Sequence, residues 1–227
     1  MSKKPSASPL RRFLYENGLL LVGTGLMLIT LVGQGLTGWH EYNSELEDMG
    51  LLPLTLGRYL TSGHFVEATF ENWESEFLQM GLYVLLTIWL RQKGSSESKK
   101  LYEDEEVDRT PDPNKPHAPA PVKRGGWVLT LYQNSLSLAF LVLFLGAAWL
   151  HAAGGRAVYN IEQQQAGKPQ ISTVAYMETA RFWFESFQNW QSEMLSIVSI
   201  VGLSIFLRQK GSPESKPVDA SHAETGE

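Results

Sequence analysis

The sequence predicts an all-α integral membrane protein, a four-helix bundle built from two tandem helical-hairpin repeats in parallel orientation. Two apolar blocks without a charged residue, 18–36 and 128–150, are each about as long as a helix that crosses a membrane. The two halves of the 227-residue chain repeat each other at a shift of 117 residues. Lysine and arginine are concentrated on the segments that would share one side of the membrane.

The repeat runs through the chain without a gap. Residues 70–76 (FENWESE) align with 187–193 (FQNWQSE), and LRQKGS occurs at 90–95 and again at 207–212. Within 70–99, 18 of 30 residues are identical to those 117 positions further on. A shared apolar composition would not repeat Asn, Trp, Ser and Glu at one offset, so the pattern indicates an internal duplication.

The second apolar run of each repeat, 78–90 and 195–207, has only 13 residues and must be extended at its N-terminal side to span. The first block follows basic residues, as a signal peptide does, but its counterpart is internal and is not cleavable as a signal. We therefore predict four spans, at about 15–37, 70–90, 128–151 and 187–207.

Composition divides the rest of the chain. The linker is rich in Pro and charged residues, which favours disorder. The predicted organisation is a disordered N-terminus (1–12), repeat 1 (13–94), a disordered linker (95–122), repeat 2 (123–211) and a disordered tail (212–227). Between the two spans of each repeat, 38–69 and 155–186 are expected to be helical, outward-facing and broken near Gly50 and Gly167.

The N-terminus, linker and tail hold 15 of the 19 basic residues. The positive-inside rule then places both termini and the linker in the cytoplasm. Each repeat crosses twice, so the repeats share one orientation and should be related by a pseudo-two-fold axis along the membrane normal.

Extending the short spans brings a polar stripe into the outer leaflet. Its spacing of i, i+3, i+4 defines one helix face, and it occurs in both repeats: Asn72, Ser75, Glu76 and Asn189, Ser192, Glu193. The two-fold relation would bring Glu76 and Glu193 together as a candidate proton or cation site. The alternative places both glutamates in the headgroup layer. We expect interfacial anchors at Trp73, Trp190, Arg91 and Arg208.

Metal and cofactor chemistry has little support in the sequence. There is no cysteine. His40, His64 and His151 could combine with the paired glutamates in a metal site. None of these histidines is duplicated, so we interpret them as ordinary interfacial residues and predict no metal and no cofactor.

The expected function is that of a structural or partner-binding membrane bundle. Its partners would be the lipid bilayer, further copies of the chain or another membrane protein. No basic patch indicates nucleic acid, and no nucleophile–base constellation indicates an enzyme. The alternative is a proton or cation transporter or channel that uses the glutamate pair, since the outer segments carry twelve acidic residues against four basic ones.

The duplicated motifs Asn-Trp-x-Ser-Glu and Leu-Arg-Gln-Lys-Gly-Ser resemble those of a family of small bacterial integral membrane proteins, a domain of unknown function. The resemblance covers nearly the whole chain outside the linker and tails. It implies a multi-pass protein of the bacterial cytoplasmic (inner) membrane and implies no activity.

Overall fold

A computed structural model describes residues 8–226. Every regular element in this range is helical, which confirms the all-α prediction. The four long helices are α1 (Pro9–Asp48), α3 (Gly63–Trp89), α6 (Ser135–Gln165) and α8 (Ala180–Phe206). The short helices are α2 (Leu56–Tyr59), α4 (Ala120–Arg124), α5 (Gly126–Gln133) and α7 (Thr173–Met177), with one 3-10 turn at Glu106–Asp108.

The ends of the helices follow from local chemistry that both repeats share. The hydroxyls of Ser62 and Thr179 cap α3 and α8 by accepting a hydrogen bond from the backbone N–H three residues ahead. The turns after α1 and α6 contain Gly50 and Gly167 at φ of 73° and 67°. Glycine adopts this left-handed conformation without a steric penalty, so both helices stop where the sequence predicts a break.

One asparagine in each repeat fixes the chain that follows the long helix. The side chain of Asn43 accepts a hydrogen bond from the N–H of Leu54 at 2.7 Å and donates one to its carbonyl at 3.0 Å. Asn160 binds Ile171 in the same way, at 2.9 and 3.0 Å. These bonds hold α2 and α7 against their parent helices. We call this end of the molecule, where both short helices lie, the α2/α7 end.

Helix α3 lies at the centre of the helix arrangement, with α6 along most of one side and α8 on another. The approach to α6 is closest where Gly63 faces Gly154. A Cβ atom built on Gly154 would lie 2.7 Å from the Gly63 carbonyl oxygen, so side chains on both helices would prevent this contact. Helix α1 packs mainly on α2 and α3, at the α2/α7 end, and is not packed along α8 in the described residues.

Of the helices in residues 8–226, α1 and α6 are long and apolar enough to cross a membrane, judged by length and composition. Helices α3 and α8 are 27 residues long but carry several charged residues in their N-terminal halves. Helices α1 and α6 contain most of the two uncharged apolar blocks of the sequence. The spans predicted over 70–90 and 187–207 do not meet the same test, so the four-span bundle stays a prediction.

The structure differs from the predicted spans in two respects. Helices α1 and α6 run beyond residues 37 and 151, straight into the outward segments. The span predicted over 128–151 is interrupted at Asn134, between α5 and α6. Asn134 donates its side-chain amide to the carbonyl of Thr130 at 2.8 Å, and Ser135 bonds to Tyr132, also at 2.8 Å. Such side-chain bonds to the preceding turn compete with regular helix hydrogen bonds.

The linker and the tail meet below the other end of the helices. The hydroxyls of Ser95 and Ser204 lie 2.8 Å apart, and Tyr83 donates a hydrogen bond to Glu97 at 2.6 Å. The tail reaches the same place through the N–H of Gly226, which bonds to the Ser95 carbonyl at 3.1 Å. Disorder of both segments stays a prediction, to which the structure adds contacts that composition does not indicate.

Candidate functional site

The polar stripe expected on α3 and α8 is satisfied mainly by its own helices. Asn72 and Asn189 each donate to the backbone carbonyl four residues earlier, at 2.8 and 3.1 Å. Ser75 and Ser192 each donate to the carbonyl three residues earlier, at 2.7 and 2.8 Å. The amide N–H groups and hydroxyl donors of the stripe are thus satisfied within their own helices.

Glu76 is exposed and Glu193 is half-buried, where α3 and α8 cross. The crossing is joined by Gln79, whose amide donates to the Glu193 carbonyl at 2.9 Å and to the Ser196 hydroxyl. Within residues 8–226 neither glutamate side chain forms a hydrogen bond or an ion pair. They are thus not built into the polar network that the structure forms elsewhere.

The expected anchors divide into two kinds. Arg91 and Arg208 each bond to the last carbonyls of their helix, at 3.1 to 3.4 Å and 2.8 to 3.2 Å, so they terminate α3 and α8 alike. Trp73 packs edge-on against Phe70 at a ring distance of 5.2 Å. Trp190 instead donates its indole N–H to Glu74 of α3 at 3.0 Å, inside a polar cluster.

That cluster is centred on His151 of α6, which is completely buried. Its Nδ1 atom lies 2.8 Å from Oε2 of Glu74, which is only 1% exposed. Its Nε2 atom lies 3.4 Å from Oε2 of Glu185 and 4.0 Å from Oε2 of Glu71. Two half-buried carboxylates therefore share the free side of one imidazole. We call His151 and these three glutamates the His151 cluster.

Local sequence explains how three helices supply one cluster. Glu67, Glu71 and Glu74 are spaced i, i+4, i+7 and lie on one face of α3, which turns towards α6. The small residues Gly154 and Gly155 let that face approach. A Cβ on Gly155 would lie 2.6 Å from the Glu67 carboxylate, so glycine provides the space for this acid.

A second layer of polar groups holds the acids in place. Arg181 donates to Glu185 at 3.0 Å and to Glu162 at 2.8 Å. The buried hydroxyl of Tyr176 lies 2.9 Å from Glu185 and 3.3 Å from Glu67. Five carboxyl groups thus surround one imidazole and one guanidinium and give the site an excess of negative charge: Glu67, Glu71, Glu74, Glu162 and Glu185.

The surroundings shift the pKa values of Glu67 and Glu185 in opposite directions. Burial, and then the charge of Glu185, raises the pKa of Glu67 to about 7. Burial also raises the pKa of Glu185, but hydrogen bonds from its neighbours outweigh burial and hold that pKa below its usual range. Burial raises the pKa of Tyr176, with the Glu67 and Glu185 carboxylates adding to the effect, so its hydroxyl remains a donor. Glu185 therefore stays ionised at neutral pH.

Three of these residues lie close enough together to hold a metal ion after small movements. Ligand atoms of Glu71, His151 and Glu185 all lie within 4.8 Å of one another. A tetrahedral site with bonds of about 2.0 Å separates its ligands by roughly 3.3 Å, so small side-chain movements would close this set on an ion. Metal-bound histidines commonly give their other ring nitrogen to a carboxylate, which is the position of Glu74.

The cluster exists only once because the two repeats differ at these positions. At the 117-residue shift, Glu71 and Glu74 correspond to Gln188 and Gln191. His151 corresponds to Gln34, Glu67 to Phe184 and Glu185 to Ala68. The residues that both repeats share include Glu76 and Glu193 and none of this cluster, so the duplication does not indicate this site. The acidic i, i+4, i+7 face was the available signal.

These features define a class of protein: an all-α protein with a buried histidine–carboxylate cluster between three of its long helices. The chain belongs to the family described as domain of unknown function DUF6766, which matches residues 10–227. The predicted resemblance to a family of unknown function is thereby confirmed. No match was found among curated proteins or among solved structures.

Proposed function

We propose that this protein spans the bacterial cytoplasmic membrane four times and binds a divalent transition-metal cation at the His151 cluster. The membrane part is supported by the apolar surface of the long helices. Leu19 is 93% exposed, Ile29 69% and Val142 68%. Soluble monomers rarely expose apolar surface so extensively. Lipid would cover this surface.

The proposed topology has both termini and the linker in the cytoplasm. Because the chain has no cysteine, single cysteines can report the side directly. Cysteines replacing Ser2, Thr110 and Ser221 should resist a membrane-impermeant thiol reagent in intact cells, and one replacing Ser44 should react. Detergent-opened cells are the control, in which all four should react. Labelling at Thr110 in intact cells would contradict the topology.

The metal proposal departs from the sequence interpretation, which assigned no metal. The observation that carries it is the buried imidazole of His151, with Glu74 on Nδ1 and two carboxylates on the Nε2 side. One nitrogen and two oxygens suit Zn²⁺, Mn²⁺ or Fe²⁺ better than Ca²⁺ or Mg²⁺, which prefer oxygen alone. The excess carboxylates would compensate the charge of the ion.

The same geometry supports binding in preference to conduction. A transported ion needs polar groups along its path. Towards the other end of the helices, the polar side chains of α3 and α8 are few, and Tyr83 and Ser204 are bonded to the linker. We therefore propose a stationary metal in a protein that is not an enzyme, with the ion joining α3, α6 and α8 at the outer membrane face.

Metal binding is tested with purified, metal-stripped protein titrated with Zn²⁺ in a calorimeter. The wild type should bind one ion per chain. His151→Gln, which installs the residue of the other repeat, should abolish this binding. Glu74→Gln should weaken it by about 10- to 100-fold, the usual effect of removing a carboxylate that orients a ligand histidine.

Glu76→Gln is the matched control, since it removes a carboxylate of the same helix that lies outside the cluster. Its Zn²⁺ affinity should equal that of the wild type. Equal binding by wild type and His151→Gln would show that any bound zinc sits elsewhere. Absence of stoichiometric binding to the wild type would also overturn the proposal.

A further inference from the structure

The long helices of the two repeats are not equally paired. Helix α3, the second long helix of repeat 1, packs along α6, the first long helix of repeat 2. The corresponding partners of the duplication, α8 and α1, are not packed together within residues 8–226. We propose that two copies of the chain form a symmetric dimer in which α1 of each copy packs along α8 of the other.

The free faces of α8 and α1 carry the residues that correspond to the α3–α6 contact. These residues complement each other in size. In that contact, a Cβ on Gly81 would lie 3.2 Å from the Cβ of Phe140, so a small residue receives a large one. The corresponding residues are Val198 on α8 and Gly23 on α1. The small residue is now on α1 and the larger one on α8, so the two residues still complement each other in size. A Cβ on Gly23 would have no atom within 4 Å, so its space is free.

The polar pair is also replaced in a complementary way. Glu74 and His151, which contact each other between α3 and α6, correspond to Gln191 and Gln34. Gln34 donates its amide nitrogen to the Thr69 hydroxyl of its own chain at 3.4 Å, which leaves its amide oxygen to accept a hydrogen bond from Gln191 of the other copy. Both members of the ion pair have changed together. Polar side chains that bond across helices stabilise association within a membrane.

The α8 face is exposed along its length. The counterparts of the α3 residues that meet α6 are all exposed: Ala180, Phe184, Gln188, Gln191 and Val198. Phe184 is 69% exposed and replaces Glu67. At this end the partners Gly63 and Gly154 become Ala180 and Thr37. The dimer contact must therefore be wider there, and the Phe184 ring would fill the added space.

The occupant of this face is a second copy because α1 of the same chain is fixed elsewhere. A Cβ on Gly35 would lie 3.1 Å from Leu60, and Gly38 lies against the Tyr59 hydroxyl. These contacts hold the end of α1 against its own repeat, and from there it does not reach along α8. In a dimer with a two-fold axis, α1 of each copy packs on α8 of the other. No such face is then left for a third copy, so the assembly stops at two chains.

Disulfide trapping tests the proposal, since every cysteine in the chain would be an introduced one. Gly23→Cys and Val198→Cys are placed on two chains with different tags, coexpressed in the membrane and oxidised. The expected result is a crosslinked heterodimer that carries both tags. The pair Gln34→Cys and Gln191→Cys provides an independent second position. The double variant Gly81→Cys/Phe140→Cys is the control and should form a bond within one chain.

Each other outcome overturns the dimer. A double variant Gly23→Cys/Val198→Cys that forms its bond only within one chain would mean that α1 closes on its own α8. Absence of any bond at both cysteine pairs, while the control pair forms its bond, would mean that lipid covers these faces. Neither result bears on metal binding, which is measured separately.

Discussion

Replacing Glu67 with Gln should stabilise the metal-free protein by about 3 kcal/mol above pH 7, since each pKa unit corresponds to about 1.4 kcal/mol. Glu67 is 7% exposed, and burial together with Glu185 raises its pKa from 4.5 to about 7. Arg181 and His151 lower this pKa, and Glu71 raises it further. The folded state therefore favours the neutral acid, which Gln imitates.

The expected pH dependence follows from the direction of this shift. Between about pH 4.5 and 7 the folded protein keeps a proton that the unfolded chain has released, so the contribution of Glu67 to stability falls as the pH rises. Above pH 7 the loss is complete, and near pH 4 the variant and wild type should converge. Unfolding in mild detergent with a chelator, measured from pH 4 to 8, gives the comparison. Glu76→Gln should follow the wild type, and a Glu67→Gln curve parallel to the wild type would contradict the raised pKa.

Replacing Gly154 with Ala should cost about 3 kcal/mol, the upper range for overpacking a close contact. A Cβ there would lie 2.5 Å from the backbone nitrogen of Glu67 and 2.7 Å from the Gly63 carbonyl oxygen. These are backbone atoms, which no side-chain rotation removes, so α3 and α6 would have to separate. Separation would also move Glu71 away from His151 and weaken zinc binding.

Gly146→Ala on the same helix is the matched control, because a Cβ there meets nothing within 4 Å. Alanine favours helix over glycine by up to about 1 kcal/mol, so this variant should be as stable as the wild type or slightly more so. A comparison of denaturation midpoints in the same detergent separates the two. Equal stability of both variants would mean that α3 and α6 are less closely packed than the Gly63–Gly154 contact implies.

The all-α class followed from two uncharged apolar blocks, and the repeat followed from one constant offset. The breaks after α1 and α6 followed from Gly50 and Gly167, because only the local backbone decides them. The helix interruption at Asn134 did not follow. Its equivalent, Asn17, makes the same side-chain bond to Phe13 at 2.9 Å within an unbroken helix. The two sites differ locally, since Ser135 stands where repeat 1 has Gly18 and adds a second side-chain bond, to the Tyr132 carbonyl at 2.8 Å.

The candidate site was harder to predict because it depends on tertiary packing. Residues that both repeats retain, such as Asn72 and Ser75, bond to their own helices and serve the common hairpin. The His151 cluster depends instead on which helices pair, since Glu74 and His151 are 77 residues apart in the chain. The packing of α3 along α6, and the separation of α8 from α1, depend on tertiary structure and not on local sequence. The duplication identifies the residues that the repeats share, whereas the His151 cluster lies at positions where the repeats differ.

X-ray absorption at the zinc edge tests most directly whether His151 and the nearby carboxylates bind a metal. Protein loaded with one equivalent of Zn²⁺ should give a first shell of nitrogen and oxygen at about 2.0 Å, with the outer-shell scattering of a single imidazole. His151→Gln should lose that imidazole signature. A signature that persists in His151→Gln, or a first shell without imidazole in the wild type, would contradict the account.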